Sequence, residues 1–76
     1  MRAVVETVVQ HLVDHPDDVE IEEIDEGRHL TFEVRVHEDD RGNLIGRGGG
    51  TAQALRTLLN GLGQRRRLRV DLEILD

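Results

Sequence analysis

Cysteine, serine, lysine, tyrosine and tryptophan are all absent from this chain of 76 residues, and phenylalanine, proline and methionine occur once each. Without cysteine there is no disulfide and no thiolate metal site, which fits a reducing compartment. Without serine as well, no obvious nucleophile remains for covalent catalysis. The lack of lysine excludes a Walker A phosphate loop, which requires the sequence Gly-Lys followed by a hydroxyl residue. Long apolar runs are missing too. The N-terminal valines alternate with Glu6, Gln10 and Asp14, so neither a signal peptide nor a membrane span is expected. These absences predict a soluble cytoplasmic protein that is not an enzyme and uses no cofactor.

What is present is charge, unevenly placed. The net charge of −6 argues against polyanionic partners until it is divided along the chain. Residues 1–40 hold three arginines against thirteen acidic residues, a net −10, whereas residues 41–76 hold seven arginines against three, a net +4. The basic part contains the stretch Gly42–Leu62, in which Leu44 and Ile45 lead into Gly46, Arg47, Gly48, Gly49 and Gly50. Glycines permit positive φ or close backbone approach, and a helix beginning behind such a loop offers N–H groups and a positive dipole end to an anion.

The periodicities predict the order helix, strand, strand, helix, helix, strand. Val4, Val5, Val8, Val9, Leu12 and Val13 form a helical stripe over 3–14, stopped by Pro16. Residues 19–26 alternate and then slip phase at Ile24, which predicts a bulge near Glu22 and Glu23. A tight turn at Gly27–Arg28 leads to a clean alternation over 29–37, with Leu30, Phe32, Val34 and Val36 on one face. Glu38, Asp39 and Asp40 offer a carboxylate N-cap to a short helix over 41–45. A second helix over 51–60 carries Thr51, Leu55, Leu58, Leu59 and Leu62 as its stripe and ends at Gly61 and Gly63. The last strand, 67–75, alternates again. A helical crossover makes 29–37 parallel to 67–75 and antiparallel to 19–26. Each strand has one apolar face, so the fold class is an α/β (α+β) two-layer sandwich with all helices on one side of a three-stranded mixed sheet.

With that order in place, Ile45-Gly46-Arg47-Gly48-Gly49 resembles the I-G-x-x-G signature of the KH domain, and αββααβ is similar to its type II fold. The segments 13–19, 36–40 and 72–76 further resemble the small stand-alone KH-domain RNA-binding proteins of bacteria, the KhpA type. The likeness covers residues 1–76 as a single KH domain. It implies single-stranded RNA as ligand, held by its backbone over about four nucleotides. Gly46 and Gly49 would frame the clamp, Arg47 and Gly48 would meet the phosphates, and Ile45 would line the groove. The candidate RNA-binding set is Gly42, Asn43, Ile45, Gly46, Arg47, Gly48, Gly49, Gly50, Thr51, Arg56, Arg65, Arg66 and Arg67, with Gly61–Arg67 as the opposite lip. The resemblance also implies a small post-transcriptional regulator or RNA chaperone, forming a homodimer or a heterodimer with a larger KH-containing protein. The sequence departs from the family at Gly48, where a polar residue is usual, and at Gly50 and Gln53, where basic residues are common.

The residues support the same ligand class independently. Arg47 is the one charged side chain of the glycine loop, and arginine binds phosphate bidentately. Phe32 is assigned to the core, which leaves no aromatic platform for base stacking. A dinucleotide fingerprint fails because Thr51 occupies its third glycine position and a helix precedes the loop. His11 and His15 are four apart, but with no companion motif they read as solvated helix histidines, and no metal is expected. Asp17–Asp18 and Asp39–Asp40 read as turn and cap residues. A second reading stays open: a protein-interaction or dimerisation subunit with weak RNA binding. Its surface would be the outer side of helix 51–60 or the edge strand 67–75.

Overall fold

The computed structural model describes residues 1–75. The first helix, α1 (Arg2–Leu12), buries Val5 and Val9 completely and half-buries Val4, Val8 and Leu12. It stops two residues before the expected end. Val13 is already extended, with φ −101° and ψ 153°, and feeds a 3₁₀ turn at Pro16–Asp18 in which proline takes the first position. His15 therefore lies outside the helix, and only His11 of the two is the exposed helix histidine that was expected.

Strands β1 (Glu20–Asp25), β2 (His29–Arg35) and β3 (Arg69–Ile74) form one sheet in the order β1-β2-β3. As the alternations predict, β2 is central, antiparallel to β1 and parallel to β3. Leu30, Phe32 and Val34 of β2 stand beside Val70 and Leu72 of β3 on the covered face. The expected bulge in β1 is absent: the register runs unbroken from Glu20 opposite Arg35 to Asp25 opposite Leu30. Ile21 faces Val34 on the covered side, whereas Ile24 faces Thr31 on the open side. The phase slip thus marks an isoleucine left half-buried on the wet face, not an inserted residue.

Between β2 and β3 come a 3₁₀ turn at Glu38–Asp40, the short helix α2 (Arg41–Ile45), a second 3₁₀ turn at Arg47–Gly49 and the long helix α3 (Gly50–Gln64). The element order αββααβ is the type II KH order. α3 runs through both glycines that were expected to end it, because its buried stripe is Ala52, Leu55, Leu59 and Gly63. Leu58, expected in that stripe, is exposed. A side chain at Gly63 would lie 2.7 Å from Leu68 O and 2.8 Å from Val70 Cγ2, so this glycine is where helix backbone crosses the start of β3. Packing of the stripe outweighs the roughly 1 kcal/mol that a glycine costs inside a helix. The closure falls three residues later. Leu68 N–H reaches back to Gly63 O and Arg67 N–H to Gln64 O, the paired bonds of a Schellman motif. Its left-handed position is filled by Arg67, at φ 56°, and not by a glycine.

The core is continuous from α1 across α2 and α3 to the sheet. Phe32, Leu44, Leu59, Val5, Val9, Val34 and Val70 are fully buried. Each such side chain contributes about 1.5–3 kcal/mol of burial free energy. Among the described residues no helix is long and apolar enough to cross a membrane.

Candidate nucleic-acid interface

Leu44 anchors α2 in the core while Ile45, the next residue, is 41% exposed. The chain then reverses within four residues. Gly46 adopts φ 78° and ψ 171°, a conformation available only to glycine. Its N–H closes α2 on Gly42 O at 2.9 Å, and its own carbonyl accepts from Gly49 N–H at 3.1 Å. A Cβ at this position would also come within 2.6 Å of Thr51 Cβ and 2.7 Å of Thr51 N. Glycine at 46 is thus required twice, by φ and by space. Gly48 and Gly49 continue with φ 61° and 78°. Gly50 is different. It opens α3 with φ −63° and has open space where a side chain would stand.

No side chain caps α3, so the positive end of its dipole is presented at the loop surface. The Arg47 side chain is exposed there and makes no hydrogen bond or ion pair among the described residues. An exposed, unpaired guanidinium beside an uncapped helix start is an arrangement suited to a phosphate oxygen.

The structure gathers Gly42, Ile45, Gly46, Arg47, Gly48, Gly49, Gly50 and Thr51 at one end of α3. Of the remaining candidates, Asn43 turns its side chain elsewhere and the four arginines lie apart from this cluster. Asn43 turns its amide back to donate to Asp40 Oδ1 at 3.0 Å. Arg56 is half-buried, its Nε donating to Leu72 O on β3 at 3.2 Å. The expected opposite lip, Gly61–Arg67, is helical as far as Gln64. Arg65, Arg66 and Arg67 stand exposed at the far end of α3. At ~1.5 Å per residue that helix separates them from the glycine loop by roughly 20 Å.

One residue that supports the site was misread from sequence. Asp40 was expected as a cap for α2, but its carboxylate makes no capping bond to that helix. It is completely buried and accepts from Asp14 N–H, His15 N–H, His15 Nδ1 and the Asn43 amide. Burial alone would raise its pKa. The hydrogen bonds, led by that from Asp14 N–H, more than offset this and lower it to about 2. Asp40 thereby ties the start of α2, and so the approach to the glycine loop, to the end of α1. The only hint in the sequence is its spacing four residues before the core residue Leu44.

The family model described as KhpA/KhpB, KH domain, matches residues 2–74. The chain is similar to the RNA-binding protein KhpA of Halalkalibacterium halodurans, 45% identical over 76 residues with 100% of each chain covered. It is similar to the RNA-binding protein KhpA of Mycobacterium bovis, at 54% identity over 95% of this chain and 94% of the relative. The protein of that name from Streptomyces coelicolor is 48% identical over 93% of this chain and 89% of its own. No solved structure matches. The full-length match of the family model, the high identity to these relatives and the αββααβ fold place the chain in the KhpA/KhpB KH-domain family.

Proposed function

We propose that this chain binds single-stranded RNA in the cytoplasm by closing the Gly46–Gly49 turn on the sugar–phosphate backbone. The observation that carries this reading is the turn itself: three glycines at positive φ hold backbone and the unpaired Arg47 at the uncapped head of α3. Ile45, exposed at the end of α2, supplies an apolar surface beside the strand. Arg56 is oriented by its bond to Leu72 O, and Arg65–Arg67 meet only a strand long enough to run the length of α3. The relatives carry the name RNA-binding protein, and the family is one of KH proteins and not of enzymes. The protein acts as a small post-transcriptional regulator or RNA chaperone with a KH-containing partner.

Fluorescence anisotropy with a labelled single-stranded RNA tests the clamp in the wild type and in a variant carrying Arg47→Asp and Gly48→Asp. Aspartate tolerates the left-handed φ at position 48, so the variant should fold. Hydrogen bonds to charged groups contribute ~1.5–3 kcal/mol, so affinity should fall about tenfold or more. Equal affinity in both proteins would sink the clamp. A second reading, self-association with weak RNA binding, draws on Leu58, 46% exposed on the outer side of α3. Sedimentation that reports a tight dimer unmoved by RNA favours it.

A further inference from the structure

A separate cluster lies where the turn after α1 meets the turn after β2. The rings of His15 and His37 stack with centroids 4.1 Å apart and planes at 15°. Asp39 joins them, its Oδ2 3.6 Å from His37 Nδ1. One ligand atom from each of the three lies within 4.8 Å of the others. The His15 ring is not loosely held. Its Nδ1 is 3.0 Å from Oδ2 of the buried Asp40, and an ionised carboxylate only accepts, so Nδ1 carries the proton. That leaves the Nε2 lone pair of the neutral ring as a ligand. A carboxylate behind a histidine in this way fixes the tautomer, raises the basicity of the other nitrogen and orients it toward an ion.

We propose that His15, His37 and Asp39 bind one divalent transition ion of the zinc–nickel class, with Asp40 holding the His15 ring in place. The donor set of two imidazoles and a carboxylate suits these ions and not magnesium or calcium, which take oxygen ligands. Tetrahedral zinc with bonds of ~2.0–2.2 Å needs ligand atoms roughly 3.3 Å apart. Imidazole nitrogens donate in the plane of the ring, so His37 must swing out of its stack on His15 for both lone pairs to meet one ion, as the ligand atoms draw together by an ångström or so. The side chains of His37 and Asp39, 34% and 72% exposed, have that freedom, while His15 stays on Asp40. His37 Nδ1 accepts from Asp39 N–H at 3.1 Å; when the ion takes that lone pair, the N–H turns to water on an exposed residue. The bound ion would staple the loop ahead of β1 to the loop ahead of α2.

The test uses tag-free, EDTA-stripped protein titrated with zinc chloride and nickel chloride, with magnesium chloride as control. One ion per chain should bind, and magnesium should not compete. Proton NMR of the wild type should show the His15 and His37 ring signals moving while those of His11 and His29 stay. His37→Asn keeps an acceptor for Asp39 N–H and so keeps the fold, yet should weaken binding about tenfold or more. His11→Ala should leave it unchanged. The proposal fails if zinc moves no ring or all four alike, or if His37→Asn binds as the wild type does. The histidines would then be a stacked pair only.

Discussion

Asp40 closes a run of three acids, and its neighbours Glu38 and Asp39 are exposed while it is fully buried. Its folded pKa of about 2 lies below the ordinary 3.8, so the stability it contributes is complete above pH 3.8 and is lost as pH falls toward 2. His15 has the opposite sign. The hydrogen bond to Asp40 raises its pKa above the ordinary 6.5, with Asp39 and Asp18 adding to the effect. Its contribution is complete below 6.5 and is lost as pH rises through the raised value. In EDTA the wild type should therefore gain most over Asp40→Asn between pH 3.8 and 6.5. Thermal denaturation across pH 2–8 checks this, and a constant difference between the two proteins contradicts it. Apart from its spacing from Leu44, nothing in the sequence set Asp40 apart from the two acids before it. The donors that hold Asp40 inward, Asp14 N–H and His15, are some 25 residues away in the chain.

At the level of elements, both outer strands present free edges, and each edge has a carbonyl occupied by an arginine. Glu26 N–H donates to His29 O, which sets the antiparallel phase and points the peptide groups of Ile21 away from β2. Arg2 reaches Ile21 O from α1 at 2.8 Å while its Nε holds Glu6 at 2.7 Å. On the other side, Arg69 and Leu75 donate to β2, so the peptide groups of Leu72 point away from β2, and Arg56 takes its carbonyl. Side chains placed on a free edge oppose strand pairing with another chain. Replacing both Arg2 and Arg56 with alanine should shift sedimentation velocity profiles toward larger, concentration-dependent species; an unchanged profile refutes the edge role. Element order, strand pairing and the covered face were readable from period-two alternation in β2 and β3. The length of α3 was not, because Gly61 and Gly63 carry stop signals that packing overrides. The bulge assigned to β1 failed for a related reason: an edge strand tolerates Ile24 on its wet face.

Across the whole molecule the charge division becomes a direction. Four of the seven arginines of the basic half lie at the two ends of α3, with Arg47 at the head and Arg65–Arg67 at the foot. Single-strand binding weakens with salt at a slope of about −0.7 per phosphate neutralised. A short RNA that fills only the glycine clamp should give the same slope for the wild type and for a variant with Arg65, Arg66 and Arg67 changed to glutamine. A strand long enough to reach the foot of α3 should give the wild type a steeper slope by roughly one to two units. Anisotropy at several salt concentrations reads both, and identical slopes on the longer strand remove the arginines at the foot from the interface. The glycine loop and the helix behind it were visible in the sequence. The loop's distance from the arginines was not, since that distance is set by where α3 ends.

Gly50 stands at the rim of the loop with ordinary helical φ and unobstructed space around it. The chain has no cysteine of its own. Gly50→Cys would therefore create a single thiol beside the clamp without disturbing the backbone of Gly46, Gly48 or Gly49. A dye or a photo-crosslinker attached there would report from within reach of a bound strand, on a protein otherwise invisible to thiol chemistry.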